Sequence, residues 1–375
     1  MKKIFIFHAT AGHGHKKVAE VIAKSFEDRE HGATDVRVFD SLDMTPALFK
    51  KSYPATYFYA VKYLPAVWGW FYETLDLKNV YAPLRALRSL INGFHGQKIL
   101  DFVIKEKPDV LICTHFFTAE LFATAKRKGL ITAKLITVIT DFLPHTFWVN
   151  EGTDYYWVMS GDGQEELKRR GVPEDMIIAG GIPVDPTFKP TGLKNEILAK
   201  YGFGSKRFTL LLTSGSFGLG PHQEILHELE EYKDKIQAFV VCGQNQTLQK
   251  SLQTDKFPFP VQVFGFVNFM PELMEASDLM IAKPGGATTT ESLAKGVPMI
   301  ILDPIPGQES RNAEIMKARN AAFAMKEPFQ AKTILKSIFE HPQLLPSKRE
   351  AIAKLAKPHA ADDLVTFILK LPYSN

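Results

Sequence analysis

IAKPGGATTTESLAKGVPMIILDPIPGQESRNAE (281–314) decides the reading of this chain. An apolar run ends at Lys283, and Pro-Gly-Gly makes a tight turn after it. Residues 287–294 follow a helical pattern, and VPMIILD (297–303) is again an apolar strand. Strand, turn, helix and strand in so short a stretch make a parallel βαβ unit. Ligands in such sheets bind at the carboxyl ends of the strands. The residues placed there are Lys283, Gly285 and Gly286, then Thr288, Thr289 and Thr290 at the helix start. Hydroxyls and backbone N–H groups at a helix start suit phosphate. Glu291 follows within the first turns, and a carboxylate accepts hydrogen bonds from ribose hydroxyls. The next loop, Pro306-Gly307-Gln308-Glu309, offers an amide and a carboxylate to sugar hydroxyls. Such a set describes a nucleotide-sugar site.

The same alternation extends in both directions. FTLLLTSG, IQAFVVCG, PVQVFGF, DLMIAK, VPMIILD and AAFAM are short apolar strands between amphipathic helices. Towards the N-terminus, KKIFIFH (2–8), DVRVFD (35–40), DVLICTH (109–115), KLITVIT (134–140), DYYWVM (154–159) and DMIIAG (175–180) form an earlier series. A Gly- and Pro-rich stretch separates the two. The expected organisation is α/β: two doubly wound, Rossmann-like domains facing a cleft. The N-terminal domain spans 1–180, a linker 181–195, and the C-terminal domain 196–375, whose last helix is expected to pack back on the first.

Two strand-end loops of the first domain carry candidate chemistry. HATAGHGH (8–15) puts Gly14 and His15 just after the first strand, where glycines let a ligand approach the backbone. It lacks the lysine of a P-loop and the third glycine of a dinucleotide fingerprint. A metal site on His13 and His15 would need further ligands. VITDFLPHTFWVN (138–150) places Asp141 past a strand, either to cap the next element or to act as a general base. His145 is near enough in sequence to contact the same ligand. In the second domain TSGSFGLGP (213–221), with Gly215 and Ser216, suits a pyrophosphate. Phe266 lies in a further strand-end loop.

Composition narrows the function. The 375 residues are 45% hydrophobic and 23% charged, which excludes a disordered, fibrous or polytopic membrane protein. A net charge of +4 favours an anionic ligand or surface and is too small to argue for nucleic acid. Cys113 and Cys242 both fall in apolar runs and give no disulfide framework, so a reducing, cytoplasmic compartment is expected. The apolar run at the start ends at His8, too early for a signal peptide. No uninterrupted apolar stretch reaches the ~18 residues of a membrane span.

Residues 44–95 break the alternation. They hold 12 of the chain's 43 aromatic residues, about twice the average density, with six basic residues against Glu73 and Asp76. Aromatic rings beside basic residues suit the lipid headgroup layer. The other reading is a helical insertion packed on the core, and both hold if one face is buried and one faces lipid.

At these residues the sequence resembles the diacylglycerol glycosyltransferases: plant monogalactosyldiacylglycerol synthases and bacterial processive diacylglycerol glucosyltransferases. The motifs are Gly14-His15; Thr140-Asp141-Phe142 with His145 and Trp148; Gly181-Ile182-Pro183; Lys283 to Gly286 with Thr288 and Glu291; and Pro304 with Pro306-Gly307-Gln308-Glu309 and Asn312. They cover nearly the whole chain. The resemblance implies a GT-B fold and transfer of a hexose from a UDP-sugar to diacylglycerol at a membrane surface, with inversion. It implies Asp141 as general base and His15 as the residue that binds or activates the acceptor. Lys283, Gly285, Gly286, Thr288 and Glu291 would hold UDP, and Gln308 and Glu309 the donor sugar. Gly14, Gly215, Ser216 and Phe266 complete the expected site. No cofactor or metal is expected, and there is no DxD motif; UDP-hexose is the donor substrate. Asn150 stands where relatives commonly carry His, which weakens any acid–base role there. The expected location is the inner face of a membrane, peripherally bound through anionic phospholipid. Two other readings are a UDP-sugar 2-epimerase, which needs no lipid, and a non-catalytic UDP-sugar sensor.

Overall fold

The structure is a computed structural model that describes residues 1–10, 13–215, 218 and 220–372. Contacts divide the chain into two units: residues 1–185 with 305–308 and 357–375, and residues 186–304 with 309–356.

In the first unit the order is β1 (Lys2–His8), α1 (His13–Glu30), β2 (Thr34–Asp40), α2 (Ala47–Tyr63), α3 (Pro65–Asp76), α4 (Lys78–Glu106), β3 (Val110–Cys113), α5 (Phe116–Arg127), β4 (Lys134–Val138), β5 (Tyr155–Val158), α6 (Gly161–Arg169) and β6 (Ile177–Ala179). The six strands form one parallel sheet in the order β2-β1-β3-β4-β5-β6. Residues 4–7 of β1 are wholly buried, as a strand covered on both faces must be. Phe5, Phe7, Phe39, Phe102 and Phe122 pack edge-on or stacked between β1, β2, α4 and α5. The strand order reverses at β1 and β3, so the loops after these strands flank a crevice.

The second unit holds α7 (Lys194–Lys200), β7 (Phe208–Thr213), α8 (His222–Glu228), β8 (Ile236–Val241), α9 (Gln246–Thr254), β9 (Val261–Phe264), α10 (Met270–Glu275), β10 (Leu279–Ala282), α11 (Gly286–Lys295), β11 (Met299–Leu302), most of α12 (Gln308–Ala318), β12 (Ala322–Met325), α13 (Gln330–Glu340) and α14 (Leu344–Leu355). Its sheet is parallel in the order β12-β11-β10-β7-β8-β9, with the reversal at β7 and β10. The last helix, α15 (Ala360–Lys370), belongs to the first unit. Ser25 donates to Asp362 at 2.8 Å, and Lys2 Nζ donates to the Leu369 carbonyl at 3.1 Å.

The boundary between the units falls within residues 181–195, and both ends of that stretch are held. Trp157 Nε1–H donates to the Gly181 carbonyl at 2.6 Å, holding that end in the first unit. Buried Lys295 donates to the Thr187 and Lys189 carbonyls and to Glu275, and Glu275 accepts from the backbone N–H groups of Thr191 and Gly192. Burial alone would raise the Glu275 pKa, but these donors outweigh it and hold the carboxyl below its usual range. The division therefore falls between Asp185 and Pro186, each half of the stretch being fixed by its own unit.

The 44–95 segment is helical: α2, α3 and the first half of α4. One face is buried, at Gly69, Tyr72, Leu75 and Tyr81, and one is exposed, with Leu64, Val67, Trp70, Leu87 and Phe94. Arg88 of α4 anchors the buried face. It pairs with Glu120 at 2.5 Å, donates to the Phe147 carbonyl at 3.2 Å, and lies over the Phe147 ring at 4.7 Å. Among the described residues no helix is long and apolar enough to cross a membrane.

Candidate active site

In the first unit the ends of β1, β3 and β4 bring His15, Thr114, Thr140 and Asp141 together. His15 Nδ1 lies 2.7 Å from the Thr114 carbonyl and 3.1 Å from Thr140 Oγ1. A carbonyl only accepts, so Nδ1 carries the proton and Nε2 keeps its lone pair. Burial pushes the His15 pKa down to about 4; the Thr114 hydrogen bond opposes that shift and nearby His8 adds to it. The ring is therefore neutral at physiological pH. His115 packs edge-on against it, with ring centroids 4.7 Å apart.

Asp141 is buried at the next strand end. Its Oδ2 accepts from Trp148 Nε1–H at 2.7 Å, and its Oδ1 accepts from the Gln308 amide. The Trp148 ring lies 6.3 Å from the His15 ring, so indole, imidazole and carboxylate form one group. A carboxylate oxygen accepts hydrogen bonds and can take up a proton. This group can orient a hydroxyl and take its proton.

His145 does not join it. Its Nε2–H donates to the Tyr72 carbonyl at 2.9 Å, and its Nδ1 accepts from the Phe147 N–H at 3.2 Å. Both ring nitrogens thus serve the fold, and His145 is not placed as a ligand contact. Asn150 is likewise internal: its amide donates to the Phe147 and Trp148 carbonyls.

In the second unit β10 ends at Ala282, and Lys283 and Pro284 lead into α11. Gly285 is the N-cap, in extended conformation, and no side chain caps the helix. The first N–H groups are then suited to an anion. Asn312 donates to the Pro284 carbonyl at 2.8 Å and fixes the turn. Of the three threonines, Thr290 donates its hydroxyl back to the Gly286 carbonyl at 2.8 Å and Thr289 is wholly buried. Only Thr288 is partly exposed, which corrects the reading of all three as phosphate contacts. Lys283 and Glu309 are partly exposed, and Glu291 is buried one turn into the helix.

The glycine-rich loop after β7 is pinned at both ends. His222 Nδ1–H donates to the Gly220 carbonyl at 3.0 Å, so its Nε2 accepts from the Ser214 hydroxyl at 3.2 Å. Gly215, exposed with φ +66°, takes a conformation that favours glycine. Ser216 and the His13 side chain lie outside the described residues. Phe266 is exposed in the loop after β9, and Gly14 lies in the first turn of α1. The partners that fix the proposed groups, Thr114, Trp148 and Asn312, were not among the expected site residues. Only Trp148 and Asn312 had a sequence signal, as motif positions.

Burial lowers the pKa of His8, His15, His115 and His222; for His8 this outweighs the pull of Asp40. Below the ordinary value of 6.5 the unfolded chain binds protons that the folded chain does not. Stability contributed by these four rings is complete above that value and is lost as pH falls below it, for His15 down to about 4. Thermal melts from about pH 7.5 to about pH 4.5 should show a falling midpoint, and His15→Gln should flatten the fall. A midpoint independent of pH, or an unchanged slope in the variant, would contradict the assignment of a buried neutral His15.

Residues 15–184 match the monogalactosyldiacylglycerol synthase family, and residues 209–362 match the glycosyltransferase family 28 C-terminal domain. A processive diacylglycerol beta-glucosyltransferase from Bacillus cereus (strain AH187) is 30% identical over 378 residues, covering 98% of this chain and 93% of the relative. One from Bacillus anthracis (strain A0248) is equally similar, at 30% over 378 residues. Among solved structures, Acinetobacter baumannii MurG superposes with a TM-score of 0.65 at 16% identity, covering 99% of this chain and 100% of that one. Neisseria meningitidis UDP-GlcNAc 2-epimerase bound to UDP-GlcNAc gives 0.63 at 15% identity, with the same coverage. These two likenesses show the fold: two Rossmann-like domains of the GT-B type. With that identity sustained along almost the full length of both sequences, the chain belongs to the diacylglycerol glycosyltransferase family.

Proposed function

We propose that this chain transfers a hexose from a UDP-sugar to the hydroxyl of diacylglycerol, inverting the anomeric centre, at an anionic membrane surface. The observation that carries the reading is the group of His15, Asp141 and Trp148 in a chain so similar to diacylglycerol glucosyltransferases. Asp141 is the base that takes the acceptor proton, and His15 Nε2 orients the hydroxyl. Lys283 and the N-terminus of α11 hold the diphosphate, Glu291 the ribose, and Gln308 and Glu309 the sugar. Positive charge and backbone N–H groups stabilise the departing UDP, so the reading needs no metal. The names of the relatives favour glucose as the hexose.

The exposed aromatic and apolar face of α2 to α4 enters the headgroup layer, with Lys50, Lys51, Lys62 and Arg85 towards anionic lipid. Each such residue near the surface contributes about 1 kcal/mol. The protein is then peripheral, on the cytoplasmic face. The 2-epimerase reading lacks a use for this face, and a sensor, even one bound to a membrane, lacks a use for a base such as Asp141.

The test is incubation with diacylglycerol in phosphatidylglycerol vesicles, with UDP-glucose and UDP-galactose in separate tubes, and mass spectrometry of the lipids. The expected product is glucosyl-diacylglycerol, and its mass reports how many hexoses are added. No glycolipid in either tube, with UDP still bound, would sink the reading.

A further inference from the structure

The helix α3 has two faces with different neighbours. Its outer face carries Val67, Trp70 and Phe71, which are 56, 68 and 47% exposed. Its inner face is tied to the loop that holds Asp141. The Tyr72 carbonyl accepts from His145 Nε2–H at 2.9 Å. Asp76 Oδ1 accepts from the Thr146 N–H at 2.8 Å, and both Asp76 oxygens accept from Arg170 at 2.7 Å. A bidentate Arg–carboxylate pair is directional as well as strong, so Asp76 holds the Thr146 N–H from a fixed point. Two residues on, Trp148 donates to Asp141.

The second donor to Asp141 also rests on α3. Gly69 packs so closely on Pro306 that a Cβ there would lie 2.3 Å from the proline Cβ. Gly307, at φ +104°, sits against the Tyr72 ring. Gln308, the donor to Asp141 Oδ1, follows directly. Both groups that hold the proposed base therefore sit on segments seated against one helix, whose opposite face is apolar and exposed.

We propose that Asp76 is a positioning residue for Asp141, and that through it α3 makes turnover depend on engagement of its outer face by a lipid surface. The inference rests on the reading of Asp141 as base and of this face as lipid-facing. A bilayer that takes up Val67, Trp70 and Phe71 fixes the position of α3. The inner face passes that position on through hydrogen bonds and a close glycine–proline contact, neither of which can yield much. Small displacements of a reacting group change rates by large factors.

The test uses an acceptor that needs no bilayer, dibutyrylglycerol, with UDP-glucose, with and without vesicles of phosphatidylglycerol that contain no diacylglycerol. For the parent chain the vesicles should raise kcat roughly tenfold with little change in KM for UDP-glucose. Asp76→Ala should co-sediment with the vesicles like the parent and lose the stimulation. Asp76→Asn keeps an acceptor for the Thr146 N–H and should recover part of it. Thr146→Pro guards against misfolding: it deletes that N–H while leaving the Asp76–Arg170 pair in place, at the first position of a short 3-10 helix (Thr146–Trp148) where proline is tolerated. It should bind vesicles and UDP normally yet show no stimulation. Full stimulation of Thr146→Pro, or none in a parent chain that does transfer glucose, would overturn the coupling and leave the activity standing. No transfer to either acceptor by the parent chain would overturn the reading of the activity, and the coupling with it.

Discussion

Asp141→Asn should cut hexose transfer by about 10³-fold and leave UDP affinity within about twofold of the parent. The argument starts from the two donors on the carboxylate. The Trp148 indole and the Gln308 amide each approach a separate oxygen. An Asn side chain has one oxygen and one NH2, so one of these donors would face another donor. The neutral amide is also no base. Proton removal by a placed side chain contributes about 10²–10⁴-fold, and the buried position of Asp141 leaves water a poor substitute. The groups proposed to hold UDP belong to β10 and α11 of the other unit, so their affinity should be indifferent to this change. Turnover with radiolabelled UDP-glucose, set beside a calorimetric titration with UDP, reads both quantities. Parental turnover would remove Asp141 from the chemistry and leave His15 Nε2 as the group to test next. A collapse of UDP binding would mean that Asp141 serves the donor rather than the acceptor.

The sheets of both units were legible in the sequence because buried parallel strands are apolar on both faces. Every run read as a strand contains one, although KLITVIT and DYYWVM shorten to Lys134–Val138 and Tyr155–Val158. The strand ends are where the chain leaves the ladder for the site, and Thr140 and Asp141 lie past the end of β4 for that reason. His15 and Asp141 were legible as strand-end polar residues. What holds them was not. Thr114 lies 99 residues from His15, Gln308 lies 167 from Asp141, and Arg170 lies 94 from Asp76. Periodicity reports the faces of one element, whereas such pairs depend on how elements stack. His145 shows the same limit: its place beside Asp141 suggested a ligand contact, and the approach of α3 from elsewhere in the chain engaged its ring instead. The stretch 181–195 holds the boundary between the units, but its composition does not show what fixes it. Its glycines and prolines mark irregular backbone, and irregular backbone can still be fixed by Trp157, Lys295 and Glu275.

Glu291→Ala should act on the other half of the chemistry, weakening UDP by about 10²-fold while kcat at saturating donor stays within a few-fold. Glu291 is buried one turn into α11, beyond the glycine cap where the diphosphate is proposed to bind. In the proposed arrangement a nucleoside diphosphate seated on that cap would bring its ribose hydroxyls within the range of a carboxylate in the next turn. Hydrogen bonds to a charged group are worth about 1.5–3 kcal/mol each, so two of them account for a loss of this size. Burial makes the alanine variant ambiguous, since it leaves a void as well as an absent acceptor. Two comparisons separate these causes. Glu291→Gln fills the void, keeps one acceptor oxygen and should lose less affinity. In the parent chain 2′-deoxy-UDP should bind more weakly than UDP, and in Glu291→Ala that difference should nearly vanish, because the partner of the missing hydroxyl is already gone. A difference that persists in the variant would place the ribose elsewhere. Equal losses for Ala and Gln would make the charge, rather than the shape or the single oxygen, the source of affinity. A loss confined to binding here, set against a loss confined to turnover at Asp141, is the pattern expected if Glu291 serves the donor and Asp141 the acceptor.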